Sequence, residues 1–176
     1  MQLGHRKSID LDLFSQNDIE VNSILEYLEE RFGFELDFSA KNTLKGSIQK
    51  VKIDLITHKY PFVKEPVHLE GIRVFPVEDI AAMKLNAIAG DGTRSKDFID
   101  VYFLLKQFAV KELLAFYGAK YNKRNLIHIV KSLNYFEDID THDWPEMIKE
   151  KDLTLSEVKQ SIKKQILSYS KKYLIN

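Results

Sequence analysis

The chain has no cysteine among its 176 residues, so it carries neither a disulfide framework nor a thiolate metal site. It has no apolar run approaching the roughly 20 residues that cross a bilayer. Residues 1–7 (MQLGHRK) lack the apolar stretch of a secretory signal. Charge of one sign is not in excess either: 26 Lys and Arg balance 26 Asp and Glu, so bulk charge argues neither for nor against a nucleic-acid partner. There is no internal repeat and no low-complexity segment. These absences fit a cytoplasmic protein without a membrane span. The hydrophobic fraction of 44% and charged fraction of 30% describe an ordinary globular chain, long enough for one domain with a helical appendage.

Charge is distributed unevenly along this neutral chain. The tail carries Lys159, Lys163, Lys164, Lys171 and Lys172 with no acid among them. Lys120, Lys123, Arg124 and Lys131 form a second basic group. Either is a solvated helix face or a surface that tracks phosphates.

The sharpest pattern is Ser8-Ile9-Asp10-Leu11-Asp12-Leu13-Phe14-Ser15, where apolar and acidic residues alternate with the period of a half-buried strand. Ile9, Leu11 and Leu13 would face a core, and Asp10 and Asp12 would share the other side, about 6–7 Å apart at Cα. Two carboxylates about 5 Å apart repel by roughly 3 kcal/mol at an effective dielectric of about 20. A wet face relieves that repulsion, and so does a cation between the two groups. In Lys52-Ile53-Asp54-Leu55-Ile56 a third acid, Asp54, sits between apolar neighbours. If its strand lies beside the first, Asp10, Asp12 and Asp54 meet at one end of a sheet. Such oxygen donors suit Mg²⁺ or Mn²⁺.

Between and after these strands the pattern predicts a helix from Asn17 or Asp18 to Phe32, stopped by Gly33. It then predicts a strand from Phe34 to Ser39 with Phe34, Leu36 and Phe38 on one face, and a turn over Asn42–Gly46. A strand from Ser47 to Thr57 follows, with a register slip after Ile48. Ile72–Phe75 reads as a short strand. From Val77 the period becomes helical, with Val77, Ile80, Ala81, Leu85 and Ile88 on one face up to Gly90-Asp91-Gly92. Further helices are predicted over Ser95–Phe108, Val110–Ala119, Arg124–Leu133 and Thr154–Tyr173, the last opened by the capping box Thr154-Leu155-Ser156-Glu157. The fold class is α+β, a mixed sheet with a helical C-terminal region.

Lys84 stands on the otherwise apolar helix, where it either reaches the surface or meets an anion. Arg94 and Lys96 crowd the start of the next helix beside Asp97, which complements the helix dipole. Asp100, one turn on, is placed to hold Lys84 or Lys96. The alternative for this cluster is a set of ordinary ion pairs at a helix start.

The segment Gly4-His5-Arg6-Lys7-Ser8-Ile9-Asp10-Leu11-Asp12-Leu13-Phe14-Ser15 resembles the Asp-x-Asp region of AbiEii/AbiGii-type toxins of the nucleotidyltransferase-fold superfamily. Lys52–Ile56 is similar to their third-carboxylate strand. Val77–Leu85 with Arg94–Leu105 is similar to their Lys…Lys-Asp-x-x-Asp segment. The resemblance runs over residues 4–105. It implies a nucleotidyltransferase-like mixed sheet core over residues 1–108 and a helical region over 109–176.

The same resemblance implies roles. Asp10, Asp12 and Asp54 would bind Mg²⁺ or Mn²⁺, with Asp54 also acting as general base. Lys84 would contact nucleotide phosphate, Asp97 matches a carboxylate needed for activity, and Arg6 and Lys96 would be nucleotide contacts. Arg94 and Asp100 would support them. His5 falls among polar residues beside the nucleotide. The implied reaction moves a nucleoside monophosphate from an NTP to an acceptor hydroxyl or an RNA end such as that of a tRNA. The implied biology is toxin–antitoxin abortive infection and phage defence, with an antitoxin partner. One departure stands out. The family's Gly-Gly or Gly-Ser turn precedes the Asp-x-Asp strand, and the chain starts nine residues before Asp10. An exposed sheet edge, homo-oligomerisation and weakened triphosphate binding follow as expectations. The rival reading is therefore a catalytically impaired domain that binds nucleotide, RNA or a partner; metal-dependent phosphate-ester hydrolysis is a third.

Overall fold

The chain packs into two units, one of residues 8–60 and one of residues 2–7 with 61–173. The structure, a computed structural model, describes residues 2–173. Residue 1 and residues 174–176, the outer ends of the expected division, lie outside them.

The sheet unit contains β1 (Leu11–Ser15), α1 (Val21–Phe32), β2 (Glu35–Ala40), β3 (Thr43–Ile48) and β4 (Val51–Thr57). The strand order is β1-β4-β3-β2, with β1 parallel to β4 and the other pairs antiparallel, so the sheet is mixed. The expected strand over Ser47–Thr57 is two strands. Gln49 and Lys50 between them both have positive φ, 49° and 67°, the backbone of a two-residue hairpin. The register slip expected after Ile48 is thus the turn itself. Asn42–Gly46 is no turn: Asn42, at φ 62°, closes the preceding hairpin, and β3 begins at Thr43.

A bulge between Leu36 and Phe38 separates those two side chains. Leu36 pairs with Gly46 and Phe38 with Lys45, adjacent positions that point to opposite faces, so the single apolar face expected for β2 does not form. Phe34 instead turns inward, 4% exposed, and lies over Gly46. A Cβ added at Gly46 would stand 2.4 Å from Phe34 Cζ and 2.2 Å from the Glu35 carbonyl oxygen, so only glycine fits.

α1 starts later than Asn17 or Asp18 would set it. Glu20 precedes it without a side-chain cap, because Asp18 accepts a hydrogen bond from Asn42 at 2.6 Å and pairs with Lys59. Gly33, left-handed at φ 64°, ends the helix as expected. Ile24, Leu25 and Leu28 pack on Phe34, Leu44 and Ile53. That cover stops short of β1: Leu11 and Leu13 are 48% and 43% exposed, and Ile9 before them is more so. The expectation that these three residues enter a core is corrected. Among the described residues β1 pairs with β4 alone, and α1 lies against β2 and β3.

The second unit opens with the hairpin β5 (Val67–Leu69) and β6 (Ile72–Val74), followed by α2 (Val77–Gly90), α3 (Ser95–Leu104), α4 (Val110–Tyr121), α5 (Ile127–Ser132) and α6 (Leu155–Tyr173). α2 packs on α3 and α4, and α3 on α6. Ala81, Leu85 and Ile88 of α2 bury at the expected spacing, with Phe98 and Val101 of α3 and Val158, Ile162 and Ile166 of α6. Each large side chain of this kind contributes about 1.5–3 kcal/mol relative to exposure. The capping box forms: Thr154 N donates to Glu157 Oε2 at 2.8 Å, and Glu157 N donates to Thr154 Oγ1 at 3.3 Å. Lys120 leaves the basic surface group expected for it. It is fully buried, with Nζ 2.8 Å from Asp79 Oδ1 and over the Phe62 and Phe75 rings. Asp79 also accepts from the backbone of Val63 and Lys64, so the pair ties residues 61–64 to α2 and α4.

Candidate functional site

In the sheet unit, parallel pairing makes Asp12 the register partner of Asp54. Partners on neighbouring strands share a face and stand about 4.8 Å apart at the backbone. Asp54 in turn opposes Lys45 on β3, whose Nζ lies 2.9 Å from Asp54 Oδ2. The row Asp12–Asp54–Lys45 therefore places two acids and one base side by side. Asp10 is exposed and precedes β1, outside regular structure. Among the described residues, no group of three or more His, Asp or Glu is arranged to hold a metal ion. Two adjacent carboxylates still fit Mg²⁺, which commonly takes one or two protein carboxylates and completes its shell with water and substrate phosphate.

The second unit holds a different kind of cluster, centred on Asp100 of α3. Arg6 grips its carboxylate with both prongs, Nε to Oδ1 at 2.7 Å and Nη2 to Oδ2 at 3.0 Å. His5 Nε2 sits 2.8 Å from Oδ1, and Lys84 Nζ lies 2.8 Å from Oδ2. Burial alone would raise the Asp100 pKa, but hydrogen bonds from His5 and Arg6 and the charges of Lys84 and Arg6 outweigh it and hold the group well below the usual carboxylate range.

His5 and Arg6 come from the start of the chain. An antiparallel bridge between Arg6 and Met147 and a bond from Ile148 N to the His5 carbonyl hold that segment in place. The His5 ring stacks on Phe103 with centroids 4.5 Å apart.

Lys84 links Asp100 to Asp97, donating to Asp97 Oδ1 at 2.6 Å. Burial disfavours its charge, yet the two carboxylates win and raise its pKa. An ammonium has three N–H donors, so one remains after these two bonds. Asp97 is 1% exposed, and its Oδ2 has no hydrogen-bond partner; Arg94 Nε is 3.9 Å from it. Ser95 Oγ and His5 Nδ1 are also buried without a partner. Three of the four such side-chain atoms found among the described residues thus fall in this cluster. Buried polar atoms are normally satisfied, and their concentration here marks a place where a ligand group or water would complete the set.

The fold brings together Arg6, Lys84, Asp97 and Asp100 in one cluster, with Arg94 at its margin. Asp100 holds Lys84 rather than Lys96, which pairs with Asp143 at 2.7 Å. His5 as a partner of Asp100 was not legible as such: the two are 95 positions apart, and no periodicity links them.

A protein of Aquifex aeolicus (strain VF5), aq_aa25, described as uncharacterized, is 32% identical over 144 residues, covering 78% of this chain and 69% of its own length. Two solved Helicobacter pylori structures, one described as a candidate nucleotidyltransferase and one as JHP933, cover 95% of this chain at 17% identity. Their TM-scores are 0.48 and 0.47, over 80% and 77% of their own chains. The family model described as nucleotidyl transferase AbiEii toxin, type IV toxin–antitoxin system, matches residues 1–165, and the chain belongs to that family.

Proposed function

We propose that the protein transfers a nucleoside monophosphate from an NTP to an acceptor hydroxyl, such as that of an RNA end, and releases pyrophosphate. The observation that carries this reading is the register pairing of Asp12 with Asp54. In this reading Asp10, Asp12 and Asp54 hold Mg²⁺ or Mn²⁺, which supplies charge neutralisation at the triphosphate and a lowered barrier to hydroxyl ionisation. Asp54 takes the proton of the attacking hydroxyl. The hydroxyl oxygen bonds to the α-phosphorus, the α–β phosphoanhydride bond breaks, and pyrophosphate leaves with the electron pair.

Lys84 offers its third N–H to phosphate, and Asp97 keeps the ammonium charged and aimed. Arg94 and Asp100 support them. Arg6 has Nε and Nη2 on Asp100 and Nη1 3.4 Å from the Lys7 carbonyl oxygen, so a phosphate contact from Arg6 would have to replace one of these bonds. Lys96, paired with the exposed Asp143, is free to exchange that partner for a nucleotide. All of these residues fall within 1–108, which we take as the transferase core, with 109–176 as a helical region of separate duty. The toxin–antitoxin family supports an antitoxin partner, and a growth-arrest or phage-defence role in the cytoplasm belongs to the same proposal.

The test uses NTP labelled at the α- or the γ-phosphate, with Mg²⁺ and total RNA. Transfer puts the α-label into RNA and releases the γ-label in pyrophosphate, and Asp12→Ala removes both signals by at least 100-fold. Release of the γ-label as inorganic phosphate, or equal incorporation by Asp12→Ala, overturns the reading. The binding-only alternative draws on the lack of a three-acid cluster among the described residues. Calorimetric binding of Mg·NTP without incorporation would establish it instead.

A further inference from the structure

The five α6 lysines, Lys159, Lys163, Lys164, Lys171 and Lys172, lie on a helix that buries Val158, Ile162 and Ile166 on its other side. After Glu157 the helix has no acid. Among the described residues none of these lysines forms an ion pair, whereas Lys45, Lys64, Lys84, Lys96, Lys106 and Lys120 all do. Among the described residues the positive charge of this helix therefore has no acidic partner. Lys164 and Lys171, seven residues apart, share one exposed stripe, and Lys172 adjoins it.

Aromatic surface accompanies the charge at the C-terminal turn. Tyr169 and Tyr173 pack with ring centroids 5.2 Å apart, and Tyr173 is 44% exposed. Lys172 and Lys111 of α4 each place an ammonium within 5.3 Å of the Tyr173 centroid. Beside Tyr169 a surface pocket is lined by Arg124, Leu126 and Val130. Arg124 is exposed and in no ion pair among the described residues. A stripe of cations in no ion pair among the described residues, leading to the exposed Tyr173 ring, matches the chemistry of single-stranded nucleic acid: ammonium groups for successive phosphates, a ring for a base face.

We propose that the α6 face from Lys164 to Tyr173, with Arg124 beside it, binds single-stranded RNA. RNA is the partner we commit to because it presents unpaired ends and loops whose bases stack on aromatic side chains. The choice of RNA rests on the transfer reading above, since an acceptor strand must be held as well as its end hydroxyl. The charge and the rings do not depend on it.

The test is fluorescence anisotropy of a labelled 20-nucleotide single-stranded RNA, and of DNA of the same sequence, with the full chain. The triple variant Lys164→Glu/Lys171→Glu/Lys172→Glu should bind RNA at least 30-fold more weakly than wild type near 0.1 M salt. Its slope of log affinity against log salt should be shallower by about 2, as expected for three lost phosphate contacts at roughly 0.7 each. Tyr173→Ala should weaken binding about 5- to 10-fold and leave that slope unchanged. Circular dichroism and urea midpoints equal to wild type verify that each variant folds, and a Lys→Gln triple provides a milder version. RNA binding by the triple variants within twofold of wild type, or DNA bound as tightly as RNA, overturns the proposal. Failed nucleotide incorporation with lysine-dependent RNA binding intact overturns the transfer reading and supports this one.

Discussion

The two units handle charge in opposite ways. In the helical unit Asp100 is buried and surrounded by His5, Arg6 and Lys84, and Lys120 is buried against Asp79. In the sheet unit Asp12 is exposed and lies beside Asp54, which pairs with the half-exposed Lys45. Burial demands prior neutralisation, because an unpaired buried charge costs several kcal/mol. Exposure permits two acids to remain adjacent, since water screens them. The contrast separates two duties. The helical cluster is set in advance and holds its lysine in place, while the sheet acids are the cation site of the proposed reading.

The largest expected effect tests the buried side of this contrast. Asp100→Ala leaves Arg6 and Lys84 without their shared carboxylate and should cost about 3–5 kcal/mol, read as a lower urea midpoint. The pH dependence has a defined sign. The folded pKa of Asp100 is depressed, so its contribution is complete above the unfolded value of about 4 and is lost as pH falls from there towards the folded value. The wild type should therefore lose stability below about pH 4 more steeply than Asp100→Asn. Lys84, with a raised folded pKa, contributes below its unfolded value and loses that contribution as pH rises through the folded one. Parallel acid titrations would break the comparison if the two proteins gave the same slope.

A middle-sized effect sharpens the other side. If shape rather than charge holds the sheet unit together, Gly46→Ala should destabilise it by about 1–3 kcal/mol, because the new methyl meets Phe34 and the Glu35 carbonyl. Hydrogen exchange at the amides of β3 and β4 would locate the loss. Unchanged protection there would remove the glycine argument.

The smallest effect on stability is expected at the sheet acids. Lys45→Ala should change stability by about 0–1 kcal/mol, since the ion pair is partly exposed. Asp54→Asn should behave alike in stability yet lose nucleotide incorporation by at least 100-fold. A stability loss above about 2 kcal/mol in either variant would place a structural duty on Asp54 and blur the contrast.

How much of this was legible follows from the range of each interaction. Local period revealed α2, α3 and α6 and the acidic alternation of β1, because each depends on neighbours within a few positions. The turn at Gln49-Lys50 was hidden, because neither residue is a usual carrier of positive φ. Its trace was the break in alternation after Ile48. Lys120 looked like surface charge, although it continues the buried series Leu113, Tyr117 and Tyr121 on α4. That position was the signal of a buried pair. Helical spacing put Asp100 one turn after Asp97 and left Lys84 or Lys96 as its partner, and the packing of α2 on α3 decides for Lys84. Arg6 and His5 reach Asp100 only through tertiary packing, and nothing local announces it. The bare flank at Leu11 and Leu13 was also out of reach, because alternation says which side is apolar and not whether anything covers it.

In the proposed reading the Asp12–Asp54 pair holds a divalent cation for nucleotide transfer. The most direct measurement of that binding is the electron paramagnetic resonance of Mn²⁺ titrated into the full chain with a non-hydrolysable NTP analogue, for wild type, Asp12→Asn and Asp54→Asn. Loss of the free Mn²⁺ signal with wild type and at least 10-fold weaker uptake in each variant are expected. Equal uptake by all three proteins would contradict the reading.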